Sequence, residues 1–302
     1  MPPDAPVSTV RALDAMAASR AAQRLARAPV APWLHGEVAR RMAERLPIVR
    51  RVPERVLDWW AHAGGGAAQL RAAYPRAQVV AVEAGTAAAG AAAPWWSPRR
   101  WRAAPAPLPD GAVPAGAAQL VWANMMLHAA RDPAAVMRGW CDALAVDGFL
   151  MFSTLGPDTL RSLRALYAEA GWGPPHAPFV DMHDLGDMLV GAGFAAPVMD
   201  QELLRLTWAS PQALLAELRG LGGNTDPARF AGLRTPRWRA RLEAALRARA
   251  DGAGRIALEF EIVYGHAFRP PPRVPVAAQT LIGVDELRRM ARRGGGGGEP
   301  LR

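Results

Sequence analysis

Two short apolar runs on either side of a glycine-containing segment most constrain how this chain can fold. Residues 55–66 read RVLDWWAHAGGG, and residues 78–83 read QVVAVE. The first run predicts a strand that leads through a tight turn into a helix, and the second predicts a returning strand. Asp58 and Glu83 are 25 residues apart, which is room for one helix and one strand. This is the layout of a βαβ unit that holds a nucleotide-type cofactor at its first turn.

The following segments continue the alternation of strands and helices. Residues 119–123 and 149–154 predict strands, and residues 132–145 predict the helix between them. Such alternation is typical of an α/β fold, with a mostly parallel, doubly wound sheet covered by helices on both faces. The chain has 302 residues, 51% of them apolar, which is enough to bury a sizeable core.

The outer parts of the chain carry different patterns. Residues 1–30 are rich in Ala and Arg and predict a flexible segment, whereas residues 31–47 predict an amphipathic lead-in helix that ends at Pro47. Residues 84–118 predict irregular structure. Four more helices and a strand are predicted at 158–170, 184–192, 211–221, 237–250 and 256–264. The domain therefore spans 31–268 with a helix-rich insertion at about 157–250, and the Pro/Gly-rich residues 269–302 predict a disordered tail.

Composition limits the classes of function. The single cysteine, Cys141, excludes an internal disulfide and a cysteine-based zinc site, and we expect no metal. No apolar run is long enough to span a membrane, and no secretory signal is evident, so we expect a cytoplasmic protein. The net charge of +9 favours an acidic protein partner over nucleic acid, because the basic residues do not alternate with aromatic ones. Nothing indicates the oligomeric state.

Several motifs resemble those of a known family. VLDWWAHAGGG…YPRAQVVAVE resembles the first two motifs, VLDxGxGxG…VVxxD/E, of class I S-adenosylmethionine-dependent methyltransferases. LVWANMMLHAARDPAAVMRGWCDALAVDGFLMFSTLGPDTL, DMHDLGDML and YGHA are similar to segments of the malonyl-acyl-carrier-protein O-methyltransferases, the BioC-like enzymes of biotin synthesis. The resemblance covers roughly residues 31 to 268. It implies a Rossmann-like methyltransferase fold.

The resemblance also implies a reaction and a set of site residues. The reaction is methylation, by S-adenosylmethionine, of the free carboxylate of a malonyl thioester on acyl carrier protein. Four positions match cofactor contacts of the family: Asp58, Gly64, Glu83 and Asn124. Three match substrate contacts: Ser153, Thr154 and Arg219. Glu83 could equally be a surface glutamate at a strand end, and Arg219 an ordinary exposed helix arginine.

This chemistry needs no catalytic side chain. A carboxylate is ionised at neutral pH, so its attack on a sulfonium methyl group is an in-line displacement without a general base. The protein supplies proximity, alignment and a pocket poor in water. An arginine would hold a carboxylate of the malonyl group through its bidentate fork.

The motif also departs from the family at defined positions. Trp60 and His62 replace two motif glycines, Gln119 replaces an aspartate, and Arg102 lies near the place of the acid expected on the third strand. If the indole of Trp60 points into the site, cofactor affinity should fall by several powers of ten; if it points into the sheet, the loss is modest. Two other hypotheses therefore stand beside the enzyme: a catalytically inactive homologue that binds or regulates a partner, and another transferase with a relocated cofactor turn.

Overall fold

The fold is organised around a seven-stranded sheet. The computed structural model describes residues 10–84 and 106–272. In chain order the strands are β1 (Arg55–Trp59), β2 (Gln78–Glu83), β3 (Leu108–Pro109), β4 (Ala118–Ala123), β5 (Leu144–Leu155), β6 (Ala195–Trp208) and β7 (Ile256–Phe268). Their order across the sheet is β3-β2-β1-β4-β5-β7-β6. The first five are parallel, and β7 runs antiparallel between β5 and β6. The predicted doubly wound α/β sheet is confirmed.

Helices cover both faces of this sheet. They are α1 (Ala15–Arg27), α2 (Trp33–Ala43), α3 (Ala61–Gly64), α4 (Ala67–Ala73), α5 (Pro133–Ala143), α6 (Arg161–Glu169), α7 (Met182–Gly191), α8 (Pro211–Gly220) and α9 (Pro236–Arg247). Successive residues of β1 point to opposite faces, so Val56 joins the apolar cluster that contains Leu34 and Leu70 from α2 and α4. Leu57 joins the second cluster, with Trp140 of α5. The continuous apolar run of β1 follows from this burial on both faces.

The insertion contains more sheet than the sequence suggested. Strand β6 was not predicted, because it lies at the sheet edge and carries several exposed polar side chains that blur the apolar alternation. A helix was predicted to begin at Asp158, and this is wrong: α6 begins three residues later, after Leu160 in a left-handed conformation. The intervening residues pair with β7 instead, where the Leu160 amide donates to the carbonyl of Glu259 and the Thr159 hydroxyl to that of Glu261.

The N-terminal segment contains a helix where the sequence indicated flexibility. Helix α1 is capped by Asp14, whose side chain accepts a hydrogen bond from the Ala17 amide at 2.8 Å. No residue of α1 is fully buried. The predicted tail lies outside the described residues from position 273 onward. None of the helices in residues 10–84 and 106–272 combines the length and the apolar character needed to cross a lipid bilayer.

Candidate active site

A cavity of about 240 Å³ opens at the carboxyl ends of the central strands. Trp60 follows β1, Glu83 ends β2, Met125 follows β4 and Leu155 ends β5, and all four line this cavity. Ligands of doubly wound sheets bind at this edge, where the strand order reverses. Most of the cavity wall is apolar, so water inside it has few partners.

Helix α1 forms the outer wall of the cavity. Ala18, Ala21, Ala22 and Leu25 line it from one face of the helix, at the spacing that places side chains together on a helix surface. Small side chains on this face leave space beneath the helix. No site residue was predicted in this segment, because residues 14–30 have no aromatic side chain and only a weak apolar pattern.

The turn after β1 differs from a plain glycine turn. Trp60 adopts a left-handed backbone conformation with φ 53°, and the four-residue helix α3 follows it. Gly65 ends α3 with φ 68°, a conformation that side chains disfavour. Gly66 packs so closely on Trp122 that a Cβ atom there would lie 2.3 Å from the indole Nε1. Gly65 therefore provides the left-handed backbone of the turn, and Gly66 provides the close packing against Trp122.

The two bulky residues in the glycine motif have separate surroundings. The Trp60 side chain packs against the apolar cluster that contains Leu57 and Trp59, and it also forms part of the cavity wall. The cavity persists with this indole in place. His62 also lines the cavity, and its ring reaches the end of α1, with Nε2 2.9 Å from the carbonyl oxygen of Ala28.

Asp58 is buried without a partner. It is 1% exposed, and neither carboxyl oxygen has a hydrogen-bond donor among the residues that the structure describes. Burial and, to a lesser extent, the negative charge of Glu83 raise the pKa of Asp58 to about 7, and Arg71 opposes the shift. A carboxyl group in this condition is stabilised by any cation or hydrogen-bond donor that reaches it.

Glu83 is fixed at the end of β2 by the turn that follows β1. Its Oε1 accepts a hydrogen bond from the backbone amide of His62 at 2.8 Å. Burial raises the pKa of Glu83, and the bond from His62 opposes that effect. The carboxylate lines the cavity, where the βαβ layout placed an acid for a ribose.

Asn124 links the turn to two strands from a fully buried position. Its Nδ2 donates to the carbonyl oxygens of Gly64 at 2.6 Å and His35 at 2.8 Å, and its Oδ1 accepts from the Ser153 hydroxyl at 2.7 Å. Both N–H groups of the amide are therefore used within the protein. The arrangement suits Asn124 to positioning the turn.

The three expected substrate contacts lie in different surroundings. Ser153 is fully buried beside Asn124, and Thr154 is 2% exposed. Arg219 is exposed near the end of α8, and its neighbours Leu218 and Leu221 line the cavity. All three assignments stay predictions. Arg102, near the expected third acid, lies outside the described residues.

Arg11 is a cavity residue that the sequence analysis missed. Its guanidinium donates to the backbone carbonyl oxygens of His128 and Pro178. Burial lowers the pKa of Arg11, and no carboxylate within the described residues forms an ion pair with it. Nothing in the sequence marks this arginine among 36 basic residues.

Two histidines of the cavity, His128 and His176, are uncharged at neutral pH. Burial lowers the pKa of His128 to about 3, with His35 and Arg11 adding to the effect, and burial also lowers the pKa of His176. In residues 10–84 and 106–272, no group of three or more His, Cys, Asp or Glu side chains could hold a metal ion.

Known proteins are similar to this chain in sequence and in fold. Residues 31–196 match the family described as "Methyltransferase domain". A malonyl-(acyl-carrier protein) O-methyltransferase of Laribacter hongkongensis is 40% identical over 265 residues, covering 84% of this chain and 88% of the relative. One of Gallionella capsiferriformans is 38% identical over 250 residues, covering 80% and 86%.

A solved structure shares the fold. The YcgJ protein from Bacillus subtilis has 14% sequence identity and a TM-score of 0.50, with 76% of this chain and 98% of that chain covered. At that identity the likeness concerns the fold alone. The sequence relatives carry the finer assignment, and the predicted resemblance is confirmed: the chain belongs to the malonyl-(acyl-carrier protein) O-methyltransferase family of methyltransferase domains.

Proposed function

We propose that this protein methylates the free carboxylate of a malonyl thioester on acyl carrier protein, with S-adenosylmethionine as the methyl donor, in the synthesis of a biotin precursor. The observation that carries the proposal is the largely apolar cavity at the carboxyl ends of β1, β2, β4 and β5, with an acid at the end of β2. The names of relatives that cover most of the chain support the same reaction.

The acidic groups at this edge fit the methyl donor. S-adenosylmethionine carries a sulfonium cation, an amino acid end with an ammonium and a carboxylate group, and a ribose with two hydroxyl groups. Glu83 lines the cavity and would accept hydrogen bonds from the ribose hydroxyls, as acids at the end of a second strand do. Asp58, buried and unpartnered, would be stabilised by a nearby positive charge. The turn at residues 60–64, held by the Asn124 amide, would border the bound molecule.

The protein residues contribute to the reaction without exchanging protons. When bound, S-adenosylmethionine supplies a methyl group on a positively charged sulfur. The alanine face of α1 and the walls at Met125 and Leu155 keep water out, which favours a displacement in which two opposite charges disappear together. His128, uncharged at neutral pH, does not protonate the attacking carboxylate.

The outer face of α1 suits an acidic carrier protein. Arg20, Arg24 and Arg27 line a groove on the side of this helix that faces away from the cavity. Arg24 donates a hydrogen bond to the carbonyl oxygen of Gly222, and no carboxylate among residues 10–84 and 106–272 forms an ion pair with it. A surface of one charge at the rim of a site steers a partner of the opposite charge toward it.

Calorimetry and a methylation assay test this proposal. S-adenosylhomocysteine should bind with a dissociation constant in the micromolar range (about −8 kcal/mol). Malonyl-acyl-carrier protein incubated with S-adenosylmethionine should gain one methyl group by mass spectrometry. Absence of both binding heat and thermal shift at millimolar ligand would contradict the enzyme and favour the catalytically inactive homologue.

A further inference from the structure

Arg11 lies at the cavity, and its positive charge forms no ion pair with a carboxylate of the residues that the structure describes. Of the residues that the structure places around this cavity, Arg11 is the one arginine. Two of its N–H groups bond to carbonyl oxygens, whereas a guanidinium has five N–H donors. The nearby side chains His128 and His176 carry no charge at neutral pH. A carboxylate is the ligand that such a guanidinium binds most strongly.

The cation and the acid lie on different sides of the cavity. Arg11 is tied to His128, which follows β4, and to Pro178, which precedes α7. Glu83 ends β2, and β1 separates β2 from β4 in the sheet. One side therefore offers an acceptor for hydroxyl groups, and the other a donor for an anion.

We propose that Arg11 is the residue that selects the substrate, by binding the carboxylate that becomes methylated; this inference rests on the proposed function. The guanidinium would hold one carboxylate oxygen while the other faces the methyl group. The surface arginine expected from the family motif, Arg219, does not line the cavity and is not needed for this contact.

The charge balance of the reaction fits this role. A bond forms between a carboxylate oxygen and the methyl carbon, the bond from methyl carbon to sulfur breaks, and its electron pair stays on sulfur. The carboxylate loses its negative charge and the sulfonium its positive charge, with no proton transferred. Arg11 remains a cation, so the neutral ester loses its charge-assisted hydrogen bonds. The same residue would thus favour binding of the acid and release of the ester.

Binding of two thioesters of the same carrier protein tests the inference. Malonyl- and acetyl-acyl-carrier protein differ by the carboxylate, and their dissociation constants would be measured with S-adenosylhomocysteine present. The wild-type protein should prefer the malonyl form by about tenfold or more, the order expected for a charge-assisted hydrogen bond. In Arg11→Gln this preference should fall to about twofold or less, while S-adenosylhomocysteine binds within about threefold of wild type.

A matched variant distinguishes binding of the substrate carboxylate by Arg11 from attachment of the N-terminal segment to the rest of the domain. Arg229→Gln removes an ion pair to Asp14 that holds the same segment, without taking a cation from the cavity. This variant should lower the affinity for both thioesters to the same extent and keep the preference for the malonyl form. Arg11→Lys should keep part of it, because lysine retains the charge but loses the fork. If Arg11→Gln does not fold, Arg11→Met, which keeps the length of the side chain without its charge, decides, and a full preference there would overturn the role.

The outcomes distinguish the two proposals. A wild-type protein that methylates malonyl-acyl-carrier protein, together with an Arg11→Gln variant that still prefers the malonyl form, overturns the role of Arg11 and leaves the function standing. If the wild-type protein binds S-adenosylhomocysteine but shows no preference for the malonyl form, the role of Arg11 is likewise overturned and the function stands. A wild-type protein that neither binds S-adenosylhomocysteine nor transfers a methyl group overturns the function itself.

Discussion

The floor and the cover of the cavity are built in different ways. The floor rests on fully buried groups, in which Asn124 joins the turn at Gly64 to Ser153 of β5. The cover, α1, has no fully buried residue. Few buried contacts and exposed polar bonds mark a segment that opens at low free-energy cost, whereas a buried network opens only with the core. The site thus combines a rigid surface for alignment with a wall that can move for entry and release.

The largest expected effect on the free energy of unfolding comes from removing the buried hydrogen bonds of the cavity floor. Asn124→Ala leaves the Gly64 and His35 carbonyls and the Ser153 hydroxyl without this partner in a buried environment. At about 1–3 kcal/mol for each of these three groups, the free energy of unfolding should fall by roughly 3–9 kcal/mol in urea denaturation. Ser153→Ala, which leaves only one Asn124 atom unpaired, should cost about 1–2 kcal/mol. Equal losses in the two variants would show that the network does not stabilise the floor as a unit.

The second effect concerns the buried acid of the floor. With its pKa raised to about 7, Asp58 holds its proton more tightly in the folded protein than in the unfolded chain. The free energy of unfolding should therefore fall as pH rises from about 4 to about 7, by on the order of 3–4 kcal/mol from this group. Asp58→Asn should remove that decline, matching wild type near pH 4 and exceeding it near pH 8. Parallel stability curves for the two proteins in urea would contradict the shift.

The third prediction separates the cover from the floor. Asp14→Ala removes the cap of α1 and the ion pair with Arg229. Amide hydrogen exchange in α1 should accelerate by about tenfold or more, while exchange in β1 and β4 stays unchanged, because the two regions open separately. Ser19→Ala, on the exposed side of the same helix, is the matched control and should not accelerate exchange. Faster exchange in the strands of Asp14→Ala would mean that cover and floor open together.

The smallest effect is expected at Trp60. Its indole packs against the Leu57 cluster beside a cavity that remains open, so Trp60→Gly should change the dissociation constant of S-adenosylhomocysteine by less than about tenfold in calorimetry. Relief of the left-handed backbone, about 1–2 kcal/mol, partly offsets the lost packing. Tightening by several powers of ten would instead place the indole in the cofactor volume. Trp59→Ala, in the same cluster, controls for lost packing.

Sequence patterns were most informative where burial is continuous. Strand β1 was predicted from an apolar run that is buried on both faces, whereas β2 was predicted from its β-branched residues, of which Val82 is fully buried. Strand β6 escaped because an edge strand alternates between partners and solvent. Arg11 escaped for another reason: its role depends on the carbonyls of His128 and Pro178, which lie more than 100 residues away in sequence. The direction of the Trp60 indole likewise depends on tertiary packing, which no local pattern records.

His62 contacts both the floor and the cover of the cavity. Its amide holds Glu83 in the floor, and its ring holds the carbonyl of Ala28 at the end of the cover. A glycine in its place would keep the first bond and lose the second. Restoring the glycine of the family motif at this position would therefore keep Glu83 in place and remove one of the contacts that attach the end of α1.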